Sequence, residues 1–147
     1  MTLKDIQDQQ IINGTWGEVW VNNLYLCTLI KFEAKVNITY ANVKRPRDLW
    51  DGKKILQLDG QGNFTFQKYD STVLRLFDKR KLDQGLIPDI KIMGKLDDPA
   101  ALGAERVIFK NVTLNNFSIL AFENAKEAEE AMDFNFRDYE IYDLIGE

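Results

Sequence analysis

The 147-residue chain has no histidine and one cysteine, Cys27. Without imidazole it lacks the commonest general base and the commonest transition-metal ligand. A single thiol rules out a disulfide within the chain, and no histidine is present to activate it as a nucleophile. Cys27 lies in the apolar run from Leu24 to Ile30, where a small buried residue is expected. No apolar stretch approaches the roughly 20 residues of a membrane helix. Met1 to Gln10 is polar and lacks a secretory core, so the protein is expected to be intracellular when made. A basic excess is missing as well. The 19 Lys and Arg against 23 Asp and Glu give a net charge of −4, which argues against a nucleic-acid binder held by general electrostatics.

What the chain does have is strict two-residue alternation. From Lys31 to Tyr40 the odd positions are Lys31, Glu33, Lys35, Asn37 and Thr39, and the even ones are Phe32, Ala34, Val36, Ile38 and Tyr40. From Leu56 to Gln67 the odd positions are Gln57, Asp59, Gln61, Asn63, Thr65 and Gln67. The even ones are Leu56, Leu58, Gly60, Gly62, Phe64 and Phe66. Successive strand side chains point to opposite faces, so each segment has a wet face and a buried face. Strands usually stop near ~5–6 residues. Two this long, with faces this uniformly polar, predict a wall that lines water over a long distance.

The remaining pattern predicts one mainly β domain over residues 1–147, a sandwich or open barrel of antiparallel strands with one flanking helix. Residues 1–12 lack periodicity and read as a flexible arm. A short strand spans Gly17 to Asn22, Asn22-Asn23 is a tight turn, and Leu24 to Tyr40 continues as one long strand. Residues 41–53 break the pattern with Pro46 and Asp51-Gly52 and form a protruding loop. That loop carries Lys44, Arg45, Arg47 and Lys53, yet Leu49 and Trp50 sit near its tip. A helix follows over about 71–82, capped by Asp70 or Ser71, with Lys79, Arg80 and Lys81 in its last turn and Gly85 beyond it. Further strands are predicted at Ile90 to Leu96, Glu105 to Leu114, Phe117 to Glu123 and Met132 to Tyr142, and a helical turn within Asn124 to Glu130.

The chemical inventory is thin. Asp97-Asp98 and Glu127-Glu129-Glu130 are acidic clusters without metal-loop spacing. Gly60-Gln61-Gly62 sits inside an alternating strand with no helix after it, so it reads as close packing instead of a phosphate turn. No nucleophile–base pair or paired-carboxylate signature exists, so no enzyme, cofactor or metal is expected. Trp50, in a loop otherwise full of charge, has little reason to exist in a monomer, and exposed aromatics flanked by Arg mark protein contacts. Two other classes fit parts of the pattern: a monomeric β-barrel holding a small apolar ligand, and a small enzyme using Cys27 or an acidic pair.

Several segments together carry a family resemblance. They are Asn13-Gly14 leading into Glu18-Val-Trp-Val, Lys31-Phe-Glu-Ala-Lys-Val, the basic loop to Gly52-Lys-Lys, and Gly60-x-Gly62-x-Phe-Thr-Phe-x-Lys68-Tyr. The helix from Ser71, Gly103-Ala-Glu-Arg-Val107 and the run from Glu127 to Tyr139 complete the set. From about residue 13 to 140 the chain resembles the tail tube proteins of contractile-tailed phages, PBSX-type defective prophages and R-type bacteriocins. The resemblance implies six copies in a ring, with inner sheets joined into one barrel and rings stacked through loops and arms. Lys31, Glu33, Lys35, Asn37, Thr39, Gln57, Asp59, Gln61, Asn63, Thr65 and Gln67 would then line a water-filled lumen. Their apolar counterparts would pack on the second sheet and the helix. Arg45, Arg47, Leu49 and Trp50 would contact a neighbouring subunit. The implied partners are further copies, an outer sheath, a baseplate initiator and a tape measure protein. The implied place is a phage tail or bacteriocin particle made in a bacterial cytoplasm, with a secretion-system tube of the same fold left open.

Overall fold

The computed structural model describes residues 8–68 and 74–146. Its strands are β1 Gly17–Val21, β2 Leu24–Tyr25, β3 Leu29–Val43, β4 Gly52–Gln67, β5 Ile90–Leu96, β6 Glu105–Leu114, β7 Glu129–Phe136 and β8 Asp138–Asp143. Every pairing among them is antiparallel. Across the structure they run β2-β1-β5-β6-β7-β4-β3, with β8 on β6. β6 belongs to two sheets. Its first part pairs with β5 and β8, while Thr113 and Leu114 pair with Asn135 and Phe134 of β7. The change of direction falls at Asn111, whose φ of +52° is a left-handed conformation that Asn tolerates. The chain thus forms an open antiparallel barrel whose two sheets face each other.

Between the sheets lies one apolar cluster. Val19, Val21, Ile90, Ile92, Phe109 and Val112 come from one side, and Phe64, Phe66, Met132, Phe134 and Phe136 from the other. β7 alternates without exception between buried and exposed, so each of its aromatic rings enters the core. The rings of Phe109 and Phe136 sit 4.9 Å apart, and Phe32 stacks on Phe134 at 5.9 Å. Gly60 and Gly62 make this layer possible. A Cβ on Gly62 would lie 2.3 Å from Cζ of Phe134 and 2.6 Å from the Glu33 carbonyl oxygen. One on Gly60 would lie 2.6 Å from the Phe136 carbonyl oxygen. The glycines of the alternating segment are there because aromatic rings lie over the strand.

One charge enters this layer. Glu130, on the buried face of β7, is met by Lys68 with Nζ 3.2 Å from Oε1. On the opposite sheet, Lys110 of β6 reaches Glu140 of β8 at 2.6 Å, and the Tyr142 hydroxyl donates to the same carboxylate at 3.1 Å. These hydrogen bonds hold the Lys110 ammonium above its ordinary pKa and the Glu140 carboxyl below its own.

Several expectations are met closely. Asn22 and Asn23 both have positive φ, +48° and +68°, and close the β1–β2 hairpin. β5 and β6 span the expected residues. Others differ for physical reasons. The long strand expected from Leu24 is broken after Tyr25, because Leu26 turns inward to the core and Thr28 Oγ1 donates to the Gln67 carbonyl. Cys27, at that turn, is exposed and not buried as expected. Hydrogen bonding continues through Val43 and resumes at Gly52, so the loop is 44–51 and not 41–53.

The helical region is shorter than expected: a 3-10 turn at Leu74–Leu76 and a helix, α1, of five residues at Lys79–Asp83. Asp78, not Asp70 or Ser71, caps α1 by accepting from Arg80 N; those two residues and the arm's first seven lie outside the described residues. Gly85, at φ +79°, ends it as expected. Residues 117–123 form no strand, since Phe117 leaves the sheet to stack on Phe77 at 4.3 Å. Residues 124–126 form a non-helical turn, with Ala125 at φ +61°. The expected strand over Met132 to Tyr142 is divided at Arg137, where the chain crosses from the β4 side to β6.

Gly62→Ala is expected to lower stability by about 1–3 kcal/mol through overpacking, while Gly94→Ala, whose Cβ would meet only Phe32 at 3.6 Å, is close to neutral; urea unfolding of both checks this. Lys68→Met should cost roughly 3 kcal/mol by stranding Glu130, with much of it recovered in the Lys68→Met/Glu130→Leu double variant. Because the Glu140 pKa is lowered, its contribution is present above the ordinary glutamate range and lost as pH falls through the lowered value. The Lys110 contribution is complete below the ordinary lysine value and lost as pH rises through the raised one. Glu140→Gln should therefore flatten that part of the acid limb in a stability–pH profile.

Candidate functional site

β3 and β4 form a hairpin whose register decides its two faces. Lys31 lies opposite Thr65, Glu33 opposite Asn63, Lys35 opposite Gln61, Asn37 opposite Asp59 and Thr39 opposite Gln57. Ten of the eleven polar residues singled out by alternation are thereby direct cross-strand partners on one face, and Gln67 continues the same row on β4. β7 extends the wall. Asn135 pairs with Gln61, Asp133 with Asn63 and Glu129 with Gln67, and Thr113 of β6 stands beside Asn135. Of these additions Asp133 and Asn135 are legible in the alternation from Met132, whereas Glu129 falls in the segment expected to be a helical turn and is instead the first residue of β7. The wall is mostly amide and hydroxyl. Its charges are Lys31 and Lys35 against Glu33, Asp59, Asp133 and Glu129, an acidic excess with little local pairing: Lys31 reaches Glu33 only at 3.9 Å, and Gln61 donates to Asp59 at 2.7 Å. A shallow concavity of about 360 Å³ lies on this side, bounded by Glu33, Lys35, Gln61, Asn63, Asp133 and Asn135.

The opposite face behaves differently along its length. Near the base, Phe64 and Phe66 are buried in the core, and Phe32 and Ala34 pack against it, half-buried. Beyond Gly60, where β7 ends, nothing among the described residues covers it. Val36, Ile38, Tyr40, Ile55 and Leu58 are exposed, Leu58 at 61% of its surface. The expectation that the whole apolar face packs on the second sheet and helix is thus corrected: it holds only for the inner half. A bulge leaves Leu56 without a partner and brings Ile55 opposite Tyr40, which keeps Ile55 on the apolar side. The hairpin therefore projects as a two-stranded arm, wet on one face and apolar on the other. Two-stranded ribbons are marginal alone in water, and an apolar surface of this extent marks a contact.

At its tip, Lys44 lies 3.7 Å from Asp51, and the Asp48 carboxylate accepts from Trp50 N at 3.0 Å. Arg47 takes φ +61°. Leu49 is fully exposed and Trp50 is exposed at 85%. The four residues predicted as contacts are together at this tip, turned to solvent.

The acidic pair Asp97-Asp98 has a structural use. Asp98 is buried and accepts from Asn13 N at 3.0 Å and Ala100 N at 2.9 Å, and Asp97 pairs with Lys95. Among the described residues no group of acidic or thiol side chains is arranged to hold a metal, and no helix is long and apolar enough to cross a membrane. The apolar region sequence reasoning missed is the segment after β6, where Ile119, Leu120 and Phe122 are exposed, Phe122 at 83%.

Residues 4–143 match the family described as phage tail tube protein. The chain belongs to that family. Its members are structural tube components, and the fold agrees. A chain in the cryo-EM structure of the anti-feeding prophage cap, described as the tube terminating cap, is similar at TM-score 0.70 and 10% identity, covering 96% of this chain and 97% of that one. A chain of the sheath-tube complex of an extracellular contractile injection system, PVC, is similar at TM-score 0.64 and 12% identity, covering 95% and 100%. A chain of a gene transfer agent virion follows at 0.53 and 11%, covering 89% and 98%. At such identities the likeness is one of fold. No curated protein matches the chain.

In this tail tube protein, Trp50→Ala and Leu49→Ala should leave stability within about 0.5 kcal/mol of the parent, as expected for exposed sites. A thermal melt of each checks that the tip has no part in holding the subunit together.

Proposed function

We propose that the chain is the repeating subunit of a hollow tube, six copies to a ring and rings stacked end to end inside a contractile sheath. The observation that carries this reading is the two-faced arm of β3 and β4. Its apolar outer half has no cover among the described residues, and a neighbouring copy that covers it leaves the polar wall facing water. β3 is also an open sheet edge, which a second copy can extend by strand pairing. Copies joined in that way line a continuous channel with Lys31, Glu33, Lys35, Asn37, Thr39, Gln57, Asp59, Gln61, Asn63, Thr65 and Gln67. An amide-rich lining with an acidic excess does not retain phosphate, which suits the passage of DNA and equally suits a needle that punctures a membrane.

The role is mechanical, with no catalytic residue and no cofactor. The protein is made in the bacterial cytoplasm as one tube domain, residues 1–147, and works in an assembled particle. Its partners are further copies, a sheath protein, a baseplate initiator and a tape measure protein. A ligand-binding barrel is disfavoured because the centre of the space between the sheets is filled by Phe64, Phe134, Met132 and Ile92, all at or near zero exposure, and the groove of about 800 Å³ that remains beside Phe32 and Ala34 is open to solvent and not an enclosed cavity.

Negative-stain electron microscopy of the concentrated protein is expected to reveal rings or tubes with a stained centre. The double variant Ile38→Lys/Leu58→Lys should keep the parent's thermal stability, because both sites are exposed, and fail to form rings. Rings formed by that variant as readily as by the parent would overturn the assignment of the arm.

A further inference from the structure

The two ends of β4 differ in charge as well as position. At one end is the hairpin tip. Residues 44–54 hold five basic side chains, Lys44, Arg45, Arg47, Lys53 and Lys54, against Asp48 and Asp51. Of the basic groups, Lys44 is near Asp51 and Lys53 donates to Asn42, whereas Arg45, Arg47 and Lys54 meet no carboxylate among the described residues. Leu49 and Trp50 stand between them.

At the other end is the segment joining β6 to β7. It is fastened there by three hydrogen bonds: Lys68 N to the Ala128 carbonyl at 2.8 Å, Gln67 Nε2 to Glu127, and Asp133 N to Asn116 Oδ1 at 3.2 Å. The Phe117–Phe77 stack fixes its start. Between these anchors it presents Ile119, Leu120 and Phe122 to solvent, beside exposed Glu123, Glu127 and Glu129 with Lys126 as the one base, 3.4 Å from Glu123. Three exposed aliphatic or aromatic side chains within four residues, held in place and uncovered, are unusual on a loop.

We propose that the Trp50 tip of one copy docks on residues 119–129 of a second copy. The occupant is set by complementarity on two counts. A basic excess meets an acidic one, and Leu49 with Trp50 meets Ile119, Leu120 and Phe122. The two patches lie on different parts of the surface, at opposite ends of a 16-residue strand. Such a contact is heterologous and does not close between two molecules, so it propagates head to tail. It gives the assembly a polarity and joins successive copies along β4, which spans roughly 50 Å at about 3.4 Å per residue. The inference rests on the tube reading, to which it adds the identity of the axial contact.

Cross-linking tests it. On a Cys27→Ser background, Leu49→Cys and Leu120→Cys are made separately and together, assembled, and oxidised. The double variant should give a ladder of linked multimers. A mixture of the two single variants should give linked dimers and no higher species, and each single variant alone should give almost none. Independently, Arg45→Glu/Arg47→Glu should raise the concentration needed for assembly at least tenfold, and Glu127→Lys/Glu129→Lys mixed with it should restore assembly. Tubes that form with no Leu49–Leu120 link and no charge rescue would overturn this contact while leaving the tube reading intact. A chain that stays monomeric by light scattering, with neither tubes nor links, would overturn both.

Discussion

The register of β3 against β4 is the constraint on which the rest of the molecule depends. A slip of one residue would move every side chain to the wrong face. Two features oppose such a slip. Gly60 and Gly62 leave room on β4 for the rings of Phe136 and Phe134, and Gly62 lies opposite Ala34 while Gly60 lies opposite Val36. A shift of one residue against β7 would put Asp59 or Gln61 beneath Phe136 and Gln61 or Asn63 beneath Phe134. At the base, Thr28 and Lys68 tie the strand ends to Gln67 and Ala128. The polar wall and the apolar arm are therefore two consequences of one packing arrangement in the aromatic layer.

That arrangement also explains why the subunit is stable yet incomplete. The core closes over the inner half of the hairpin, where Phe32, Phe64 and Phe134 pack together, and it stops where β7 turns away at Arg137. β7 leaves because β8 is needed on the edge of β6, held by the Lys110–Glu140 pair and by pairing from Arg106 to Lys110. Beyond that point the hairpin has its cross-strand hydrogen bonds and, among the described residues, nothing beneath it. An arm whose two strands pair with each other, but whose outer edge and apolar side chains lack partners, gains by association. For a component of an assembly this division is useful: the fold of the monomer does not compete with the contacts that build the tube.

Electrostatics divides along the same axis. The tip is basic, the far segment acidic, and the wall between them mildly acidic, so a net charge of −4 for the chain conceals opposite ends. Most of these charges are exposed and screened, and contribute little to folding. They orient one molecule toward another and disfavour pairing of like ends. The buried exceptions, Glu130 with Lys68 and Asp98 with the Asn13 amide, are internal fastenings.

Much of the fold was legible in the sequence because it is written in local terms. Alternation gave the strands and the membership of each face, Asn22-Asn23 gave a turn, and the Gly-x-Gly within a strand gave close packing, since side-chain direction on a strand depends only on position. The tail tube resemblance could be read for the same reason. The sequence failed where an outcome depended on distant partners. Cys27 looked buried by its neighbours, but Leu26 took the inward position. Residues 117–123 looked like a strand, but Phe117 found Phe77 and left the ladder. The helix looked long by its 3–4 spacing, but Asp78 caps a new, shorter one. The apolar face of the long strands was identified correctly residue by residue, yet whether those side chains meet the core or solvent depends on where β7 ends. By itself the sequence determined that two strands have one wet and one dry face. Only the tertiary structure decided that half of the dry face is left open, because burial depends on how far the opposing layer reaches and not on the order of residues along the strand.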